Sequence, residues 1–287
     1  MMLAFSLRFG QAQEFNLDKA AADARKGDAE AEFTLGRAYA RGEGVPRDYA
    51  KALELYRKAA DQGNAKARHN LGSMYLRGLG VNRDDAEAAK WYRLAAEQGA
   101  ALSQDALGTL LLTGRGVSQD SKAALQWYEK AAAQGLAEAE FHLGQLLSSG
   151  KPGAARNYGE AAGWLEKAAA QGNAEAQNAL GLLYERGLGV ARDPSQAAKL
   201  FRQAADQGNA KAEHNLGRIY SSGSGVERDL VKAYQWLTLS ADQGEIFAAK
   251  LRDELAMAMT PEQIAEGARL ARQTRPQASP RPPGLVH

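Results

Sequence analysis

Small and apolar residues follow two alternating helical patterns along the chain. In residues 84–98, DDAEAAKWYRLAAEQ, they fall at the i, i+3, i+4, i+7 and i+8 positions of an amphipathic helix. These positions hold Ala88, Trp91, Tyr92, Ala95 and Ala96. Residues 63–77, GNAKARHNLGSMYLR, carry a comparable stripe formed by Ala65, Ala67, Leu71, Gly72 and Tyr75. We therefore predict two consecutive amphipathic helices in residues 63–98.

This pair of patterns recurs every 36 residues, apart from one interval of 37. The copies begin at Gly27, Gly63, Gly99, Gly135, Gly172 and Gly208, and Gly244 opens a further copy that soon diverges. A fixed period of 20–50 residues is typical of solenoids, in which each repeat packs only on its neighbours. The sequence therefore predicts an all-α solenoid of about six helix-turn-helix repeats. We number these repeats one to six and name their helices the first and the second helix.

A glycine loop joins the two helices of each repeat, and it reads RGLGV at residues 77–81 and again at 186–190. Gly78 and Gly80 follow the first helix, where the chain commonly needs a positive φ. Asp84 is then placed to cap the second helix. The equivalent cap positions hold Asp48, Asp120, Asn157, Asp193 and Asp229. A phosphate-binding loop would instead need a preceding strand or a Gly-Lys-Ser/Thr ending, so we interpret RGLGV as a structural turn.

The repeat as a whole reads A-x-A-x-x-x-LG-x-x-Y-x-x-G-x-GV-x-RD-x-x-x-A-x-x-W(Y/L)-x-x-AA-x-Q-G. This pattern resembles the Sel-one-like repeat, a relative of the tetratricopeptide repeat, over residues 27 to about 243. The C-terminal stretch MTPEQIAEGARLARQ resembles the closing helix of many bacterial members. The resemblance implies a right-handed superhelix of helix pairs that acts as an adaptor or scaffold for other proteins. It implies no catalytic chemistry, and the absence of cysteine excludes the subgroup with a disulfide in every repeat.

Repeats three and four depart from the pattern. Leu111 and Leu147 stand where tyrosine is usual, Gln119 replaces an arginine, and repeat four carries a Lys-Pro-Gly insertion. A local change in the curvature of the solenoid and neutral drift both explain these departures, and the sequence does not decide between them.

The ends of the chain are predicted to cap the solenoid. Residues 15–26 form an N-terminal capping helix, residues 27–243 the six repeats, and residues 244–273 two C-terminal capping helices. Residues 274–287 form a disordered, Pro-rich tail whose PxxP sequence is an alternative docking motif. Residues 1–14 lack the positive charge that opens a signal peptide. We therefore expect a cytoplasmic protein, or a periplasmic or secreted one if these residues are the remnant of a signal peptide.

Composition and residue spacing limit the partners and the kinds of site that the sequence predicts. The net charge is +2, and three arginines lie in the last sixteen residues, so no nucleic-acid partner is predicted. No apolar run has the length of a transmembrane helix.

There is no cysteine, and His69 and His214 occupy the same position four repeats apart, at least ~35 Å along the stack. We therefore predict no catalytic residue, no metal and no cofactor. The four tryptophans share one repeat position and are interpreted as core.

Function is therefore expected on the exposed side of the first helices, which lines the concave groove in tetratricopeptide domains. Position 7 of the repeats holds Phe33, His69, Asp105, Phe141, Asn178 and His214. Position 11 holds Arg37, Ser73, Thr109, Gln145, Leu182 and Arg218, and position 15 includes Arg41, Arg77 and Arg186. Aromatic, amide and guanidinium groups together favour a protein or peptide partner with acidic groups.

The sequence thus predicts a non-enzymatic scaffold that binds a protein or peptide through its concave face. Arg37, Arg77 and Arg218 are the predicted anchors for an acidic segment or a C-terminal carboxylate. Two alternatives stay open, namely a cell-wall-associated hydrolase or its accessory factor, and a structural spacer that binds nothing.

Overall fold

The computed structural model describes residues 17–274. The predicted signal-peptide remnant and the Pro-rich tail beyond Thr274 lie outside the described residues. The chain forms two compact units, whose described parts are residues 17–98 (unit one) and 99–274 (unit two). Within the described range all regular secondary structure is helical, which confirms the predicted all-α class.

Unit one contains the capping helix and repeats one and two. Its helices are α1 (Leu17–Ala24), α2 (Ala29–Arg41), α3 (Tyr49–Asp61), α4 (Ala65–Arg77) and α5 (Asp85–Glu97). Each first helix packs against the second helix of its own repeat, and α3 also packs against α4. The helix α1 lies within the segment predicted to form the N-terminal cap and packs on α2.

Unit two contains repeats three to six and the C-terminal helices. Its first helices are α6 (Ala101–Thr113), α8 (Ala137–Ser149), α10 (Ala174–Arg186) and α12 (Ala210–Ser222). Its second helices are α7 (Ser121–Ala132), α9 (Tyr158–Ala170), α11 (Pro194–Asp206) and α13 (Leu230–Asp242). Two further helices, α14 (Ile246–Ala256) and α15 (Pro261–Thr274), both pack on α13.

Side-chain caps begin the second helices, as predicted. Asp84 Oδ1 accepts hydrogen bonds from the backbone N–H groups of Ala86 and Glu87, both at 2.9 Å. The equivalent cap is present at Asp48, Asp120, Asn157, Asp193 and Asp229. The predicted capping box before α15 is also confirmed, since Gln263 N–H donates to Thr260 Oγ1 and Thr260 N–H donates to Gln263 Oε1.

The loop glycines bring successive repeats into backbone contact. Gly80 has a φ of 69°, and a Cβ atom there would lie 2.6 Å from the backbone C and O atoms of Tyr49 in the preceding repeat. In the second RGLGV copy, a Cβ on Gly189 would lie 2.3 Å from the same atoms of Tyr158. Only glycine combines this φ with so close an approach. RGLGV is therefore a turn that also forms part of the contact between repeats.

A helical glycine in each first helix lies directly against a large side chain of the second helix. The pairs are Gly36–Tyr56, Gly72–Tyr92, Gly108–Tyr128, Gly144–Leu165, Gly181–Phe201 and Gly217–Leu237. A Cβ on any of these glycines would come within 2.6–2.9 Å of the partner side chain. Repeats one to three have tyrosine there, and its hydroxyl reaches the polar side of the first helices. In repeat three, Tyr128 Oη lies 3.0 Å from Thr109 Oγ1.

The paired alanines that end the second helices are buried, with Ala95, Ala131 and Ala204 all at 0% exposure. Small side chains at these sites let neighbouring helices pack closely.

The prediction that the four tryptophans belong to the core holds for only two of them. Trp91 and Trp236 are buried, whereas Trp127 and Trp164 are half-buried. Lysine ammonium groups cover the latter two rings, at 4.1 and 3.7 Å from the ring centroids.

The glutamine of the A-x-Q-G ending has a role that the pattern analysis missed. In five repeats its Nε2 donates to a buried carboxylate or amide oxygen on the first helix, at 2.8–2.9 Å. The pairs are Gln62–Glu32, Gln134–Gln104, Gln171–Glu140, Gln207–Gln177 and Gln243–Glu213. Repeat two differs, since the half-buried Arg68 takes the equivalent position and Gln98 donates to Gly63 O. These bonds help to satisfy the hydrogen-bonding capacity of the buried polar groups on the first helices.

Candidate functional site

The candidate site in each unit is the solvent side of its first helices, which are α2 and α4 in unit one and α6, α8, α10 and α12 in unit two. We call it the first-helix face. In each repeat it comprises positions 4, 7, 8, 11, 14 and 15, which lie three, four or seven residues apart and so share one side of a helix. In repeat two these positions hold Lys66, His69, Asn70, Ser73, Leu76 and Arg77.

Phe33 does not face solvent as expected. It is 7% exposed, and its ring lies 5.8 Å from that of Tyr56. The Lys66 ammonium group covers it at 5.7 Å from the ring centroid. The helical pattern alone did not indicate this burial, because the tyrosine that covers Phe33 comes from the second helix.

Ser73 and His69 likewise contact a tyrosine of the second helix, Tyr92. Ser73 is 5% exposed and hydrogen-bonds the Tyr92 hydroxyl, so the expectation that it faces solvent is wrong. The His69 ring lies 5.3 Å from the Tyr92 ring. Burial lowers the pKa of His69 to about 4, because the charged imidazolium is desolvated. His69 is therefore neutral at pH 7 and contributes shape rather than charge to the face.

Two arginines of α2, Arg37 and Arg41, lie near the buried Tyr56 hydroxyl. Arg37 and Arg41 both act on the pKa of Tyr56 as nearby cations, although burial dominates and raises it to about 12. Arg37 is half-buried, and its Nε has no hydrogen-bond partner among the described residues. Arg41 Nη1 lies 3.4 Å from Glu43 Oε1, and Arg77 is exposed at the end of α4.

In unit two, side chains of consecutive first helices pair across the face. His142 Nδ1 lies 2.7 Å from Asp105 Oδ1, which joins α8 to α6. Asn215 Nδ2 donates to Asn178 Oδ1 at 2.8 Å, which joins α12 to α10. Each pair connects position 7 of one repeat with position 8 of the next. Neighbouring repeats therefore hold these polar groups in fixed positions.

Three of the predicted contact residues in unit two have surroundings that the sequence did not show. Asn178 is 8% exposed because Asn215 covers it. Phe141 is half-buried and packs against the cluster that includes Leu180. The pKa of His214 is lowered chiefly by burial and then by the charge of Arg218.

Arg218, a predicted anchor, already has an acidic partner. Its Nη2 donates to both carboxylate oxygens of Glu185 on α10, at 2.7 and 2.8 Å. An incoming carboxylate must therefore compete with Glu185. Arg186, at position 15 of repeat five, is exposed at the end of α10.

One cleft of about 310 Å³ lies in unit one, between α1 and the helices α2 and α3. It contains Glu32, whose pKa is raised by burial, and Lys58. A buried carboxylate in a cleft is a feature of catalytic sites. Here, however, Glu32 makes the hydrogen bond to glutamine that Glu140 and Glu213 repeat elsewhere, so its burial belongs to the architecture of the repeat.

Within residues 17–274, no group of three or more His, Asp or Glu side chains has an arrangement that could hold a metal ion. In that same range, every helix is too short or too polar to cross a lipid bilayer.

Comparison with known proteins agrees with this architecture. A family model described as the Sel1 repeat matches residues 29–64, 65–99, 101–136, 137–173, 174–209 and 210–245. The comparison with curated proteins found no match.

Among solved structures, a Sel1 repeat protein from Oxalobacter formigenes is similar at 32% identity, with a TM-score of 0.71 over 88% of this chain and 98% of that one. The protective antigen c5321 of uropathogenic Escherichia coli, which displays an SLR fold, shares 32% identity over 90% of this chain and 71% of its own, with a TM-score of 0.41.

The six matched segments place a first and a second helix in every repeat, in agreement with the period read from the sequence. The predicted family is thereby confirmed. The chain belongs to the Sel1 repeat family, whose members are typically non-catalytic and generally serve as scaffolds for protein interactions.

Proposed function

We propose that this chain is a non-enzymatic scaffold that binds a protein or peptide through the first-helix face of unit two, the side that corresponds to the concave groove of tetratricopeptide domains. The observation that carries the proposal is the set of polar pairs across this face. Asp105–His142, Asn178–Asn215 and Glu185–Arg218 each join one first helix to the next.

These pairs favour binding because they order the side chains before a partner arrives. Fixing a long side chain on binding costs about 0.5–1.5 kcal/mol, so groups that are already fixed lose less on association. Each pair also leaves hydrogen-bonding capacity, since a carboxylate or an amide accepts and donates more than one bond.

The apolar side of the second helices is occupied by packing between helices. In α11, for example, Ala197, Leu200, Phe201 and Ala204 are all at most 5% exposed, because they pack on the first helices of the same and the next repeat. The first-helix face keeps exposed residues in every repeat of unit two, including Gln145 on α8 and Arg186 on α10.

The test is affinity purification of the full chain from its native organism, followed by mass spectrometry, with two charge-reversal variants. Arg186→Glu changes the first-helix face, and Lys199→Glu makes the same change of charge at an exposed position of the second helix α11. We expect Arg186→Glu to lose or weaken the partner that the wild type and Lys199→Glu retain.

Circular dichroism must show equal helical content in all three proteins. If both variants retain the partner at the wild-type level, the first-helix face of unit two is not the binding surface. If the wild type captures no partner above background, the chain is a spacer rather than a scaffold for binding.

A further inference from the structure

The helix α14 has a largely exposed side in unit two. Ala248 is its only buried residue, whereas each of the six first helices has five or six. In every repeat the second helix packs against the first. The helix that follows α14, α15, packs on α13 and does not cross α14 as a second helix would. Among the described residues, α14 is therefore a first helix without its second helix.

Large apolar side chains lie on this exposed side. Ile246 and Phe247, at the start of α14, are 79% and 76% exposed, and Met257, the residue that follows the helix, is 82% exposed. Met257 keeps a helical conformation, with φ −64° and ψ −21°, so it extends the same side. These are three of the four large apolar side chains that are exposed among residues 17–274. Their concentration on one helix indicates a surface that contacts an apolar partner.

The exposed side has the spacing of a contact between two helices. Four of its residues are separated by three, four and three positions, the alternation of the a and d positions in paired helices. They are Phe247, Lys250, Glu254 and Met257, which we call the α14 seam. Lys250 Nζ lies 3.9 Å from Glu254 Oε1 at the centre of the seam. The seam therefore has apolar ends and a centre that holds one cation and one anion.

The α14 seam is complementary to itself when a second copy runs in the opposite direction. One register places Phe247 opposite Met257 of the other copy. The same register places Lys250 opposite Glu254, because both pairs are centred on residue 252. Two apolar contacts then flank two ion pairs. A parallel pair would instead place like charges opposite each other, which is unfavourable.

The remaining charged residues of α14 do not disturb this match. Asp253, beside the seam, accepts a hydrogen bond from Arg252 at 2.8 Å. The two form an ion pair and add no net charge to this side of the helix. Ile246 lies next to Phe247 and widens the apolar end of the seam.

We infer that α14 pairs with α14 of a second copy of this chain, in this antiparallel register about a two-fold axis. The inference goes beyond the proposed scaffold function and concerns a helix outside the first-helix face. A two-fold contact uses the same patch on both copies, so it closes as a dimer. The seam spans about 15 Å, and so short a helix pair buries less than the ~800 Å² per partner of a standard interface. We therefore expect a weak dimer with a Kd in the micromolar range.

Sedimentation equilibrium of the full chain, from about 1 to 300 μM, measures this association. We expect the average mass to rise from one chain to two chains and no further, because a two-fold contact is closed. Phe247→Ser is expected to weaken the dimer by at least about tenfold, since it removes an apolar contact from both ends of the seam. Phe247 is exposed in the single chain, so this variant keeps the packing of α14 on α13.

An exchange of charges tests the register. Lys250→Glu and Glu254→Lys each place like charges across the axis and are expected to weaken the dimer by at least about tenfold. An equimolar mixture of the two variants is expected to dimerise again. In the mixed dimer one copy carries two carboxylates and the other two ammonium groups, so both contacts across the axis are attractive. Each variant still lacks the ion pair within its own helix, so only a contact between copies explains this recovery.

Lys199→Glu is the matched control, because it makes the same change of charge at an exposed position of the second helix α11. It is expected to dimerise as the wild type does. Circular dichroism checks that all variants have the helical content of the wild type.

Two outcomes overturn the inference. A full chain that stays a monomer at the highest concentration would leave residues 275–287 or another protein as the occupant of the seam. A mixture that associates no better than Lys250→Glu or Glu254→Lys alone would show that the copies do not meet in this register. Neither outcome affects the scaffold function, because the partner capture of Arg186→Glu is measured separately.

Discussion

The Tyr128 ring crosses Gly108 so closely that a Cβ on Gly108 would lie 2.7 Å from the ring. Tyr128 is 1% exposed and its hydroxyl lies 3.0 Å from Thr109 Oγ1, so the ring cannot move aside without losing packing or this hydrogen bond. The same crossing recurs in all six repeats, with tyrosine, leucine or phenylalanine on the second helix. This contact sets how closely the two helices of a repeat approach each other.

Gly108→Ala is expected to lower the free energy of unfolding by about 1–3 kcal/mol because of overpacking. That loss outweighs the gain of about 1 kcal/mol that alanine brings to a helix interior. The matched control is Gly163→Ala on α9, where a Cβ would meet nothing within 4 Å and which should stabilise the protein. Urea denaturation followed by circular dichroism measures both. Equal effects of the two substitutions would contradict the role of the crossing.

Gly189→Ala is expected to be among the most harmful alanine substitutions in the loops. Its φ of 71° strains an L-residue by about 1–2 kcal/mol, and the added Cβ would lie 2.3 Å from the Tyr158 backbone. Gly172→Ala separates the two causes, because Gly172 has a φ of 89° and nothing within 4 Å of an added Cβ. We expect the melting temperature to fall more for Gly189→Ala than for Gly172→Ala. A reversed order would show that the backbone contact between repeats is unimportant.

Glu140→Gln is expected to change how stability depends on pH. Burial raises the pKa of Glu140 above its usual value of 4.5, so the folded state favours the protonated acid. The contribution of this group to stability is therefore complete below pH 4.5 and is lost as the pH rises through the raised pKa. Gln104 and Gln177 make the equivalent hydrogen bond without a charge.

The variant should therefore gain stability relative to the wild type as the pH rises from 4 toward 7. Urea denaturation at several pH values measures this difference, and Glu138→Gln, at an exposed position of the same helix, is the control. A relative stability that falls as the pH rises would contradict the assignment.

Arg218 and Glu185 are expected to be energetically coupled. A double-mutant cycle with Arg218→Met and Glu185→Gln should give a coupling free energy of about 1 kcal/mol, because the guanidinium donates to both carboxylate oxygens. The coupling should decrease in high salt, since the Arg218 side chain is 38% exposed. A coupling of zero would show that the pair is not formed in solution and that Arg218 is available to a partner.

Much of the local structure could be predicted from the pattern, because it depends on residues close in sequence. The Asp84 cap and the Thr260–Gln263 capping box involve neighbours within three residues. The fold class followed from the period, since a unit that cannot bury its apolar face alone must stack on its neighbours.

The surroundings of the candidate site could not be predicted in the same way. Ser73 and Phe33 were expected to face solvent, and both are covered by a tyrosine that arrives from the second helix. Arg218 was expected to await an acidic partner, and it pairs with Glu185 of the preceding repeat, 33 residues away in sequence. The glutamine that recurs at Gln62 and its equivalents could have indicated the buried glutamine–carboxylate and glutamine–amide pairs. The helical pattern gave no reason for this glutamine.

The sequence by itself determined the helices, their caps, the turns and the number of repeats, because each depends on the conformational preference of a few adjacent residues and on a period of 36. Only the tertiary structure decided which side chains of the first-helix face are exposed, covered or paired. That outcome depends on how the tyrosines pass beneath the helical glycines and on which polar groups meet between consecutive repeats, and these contacts join residues about 20 to 37 positions apart.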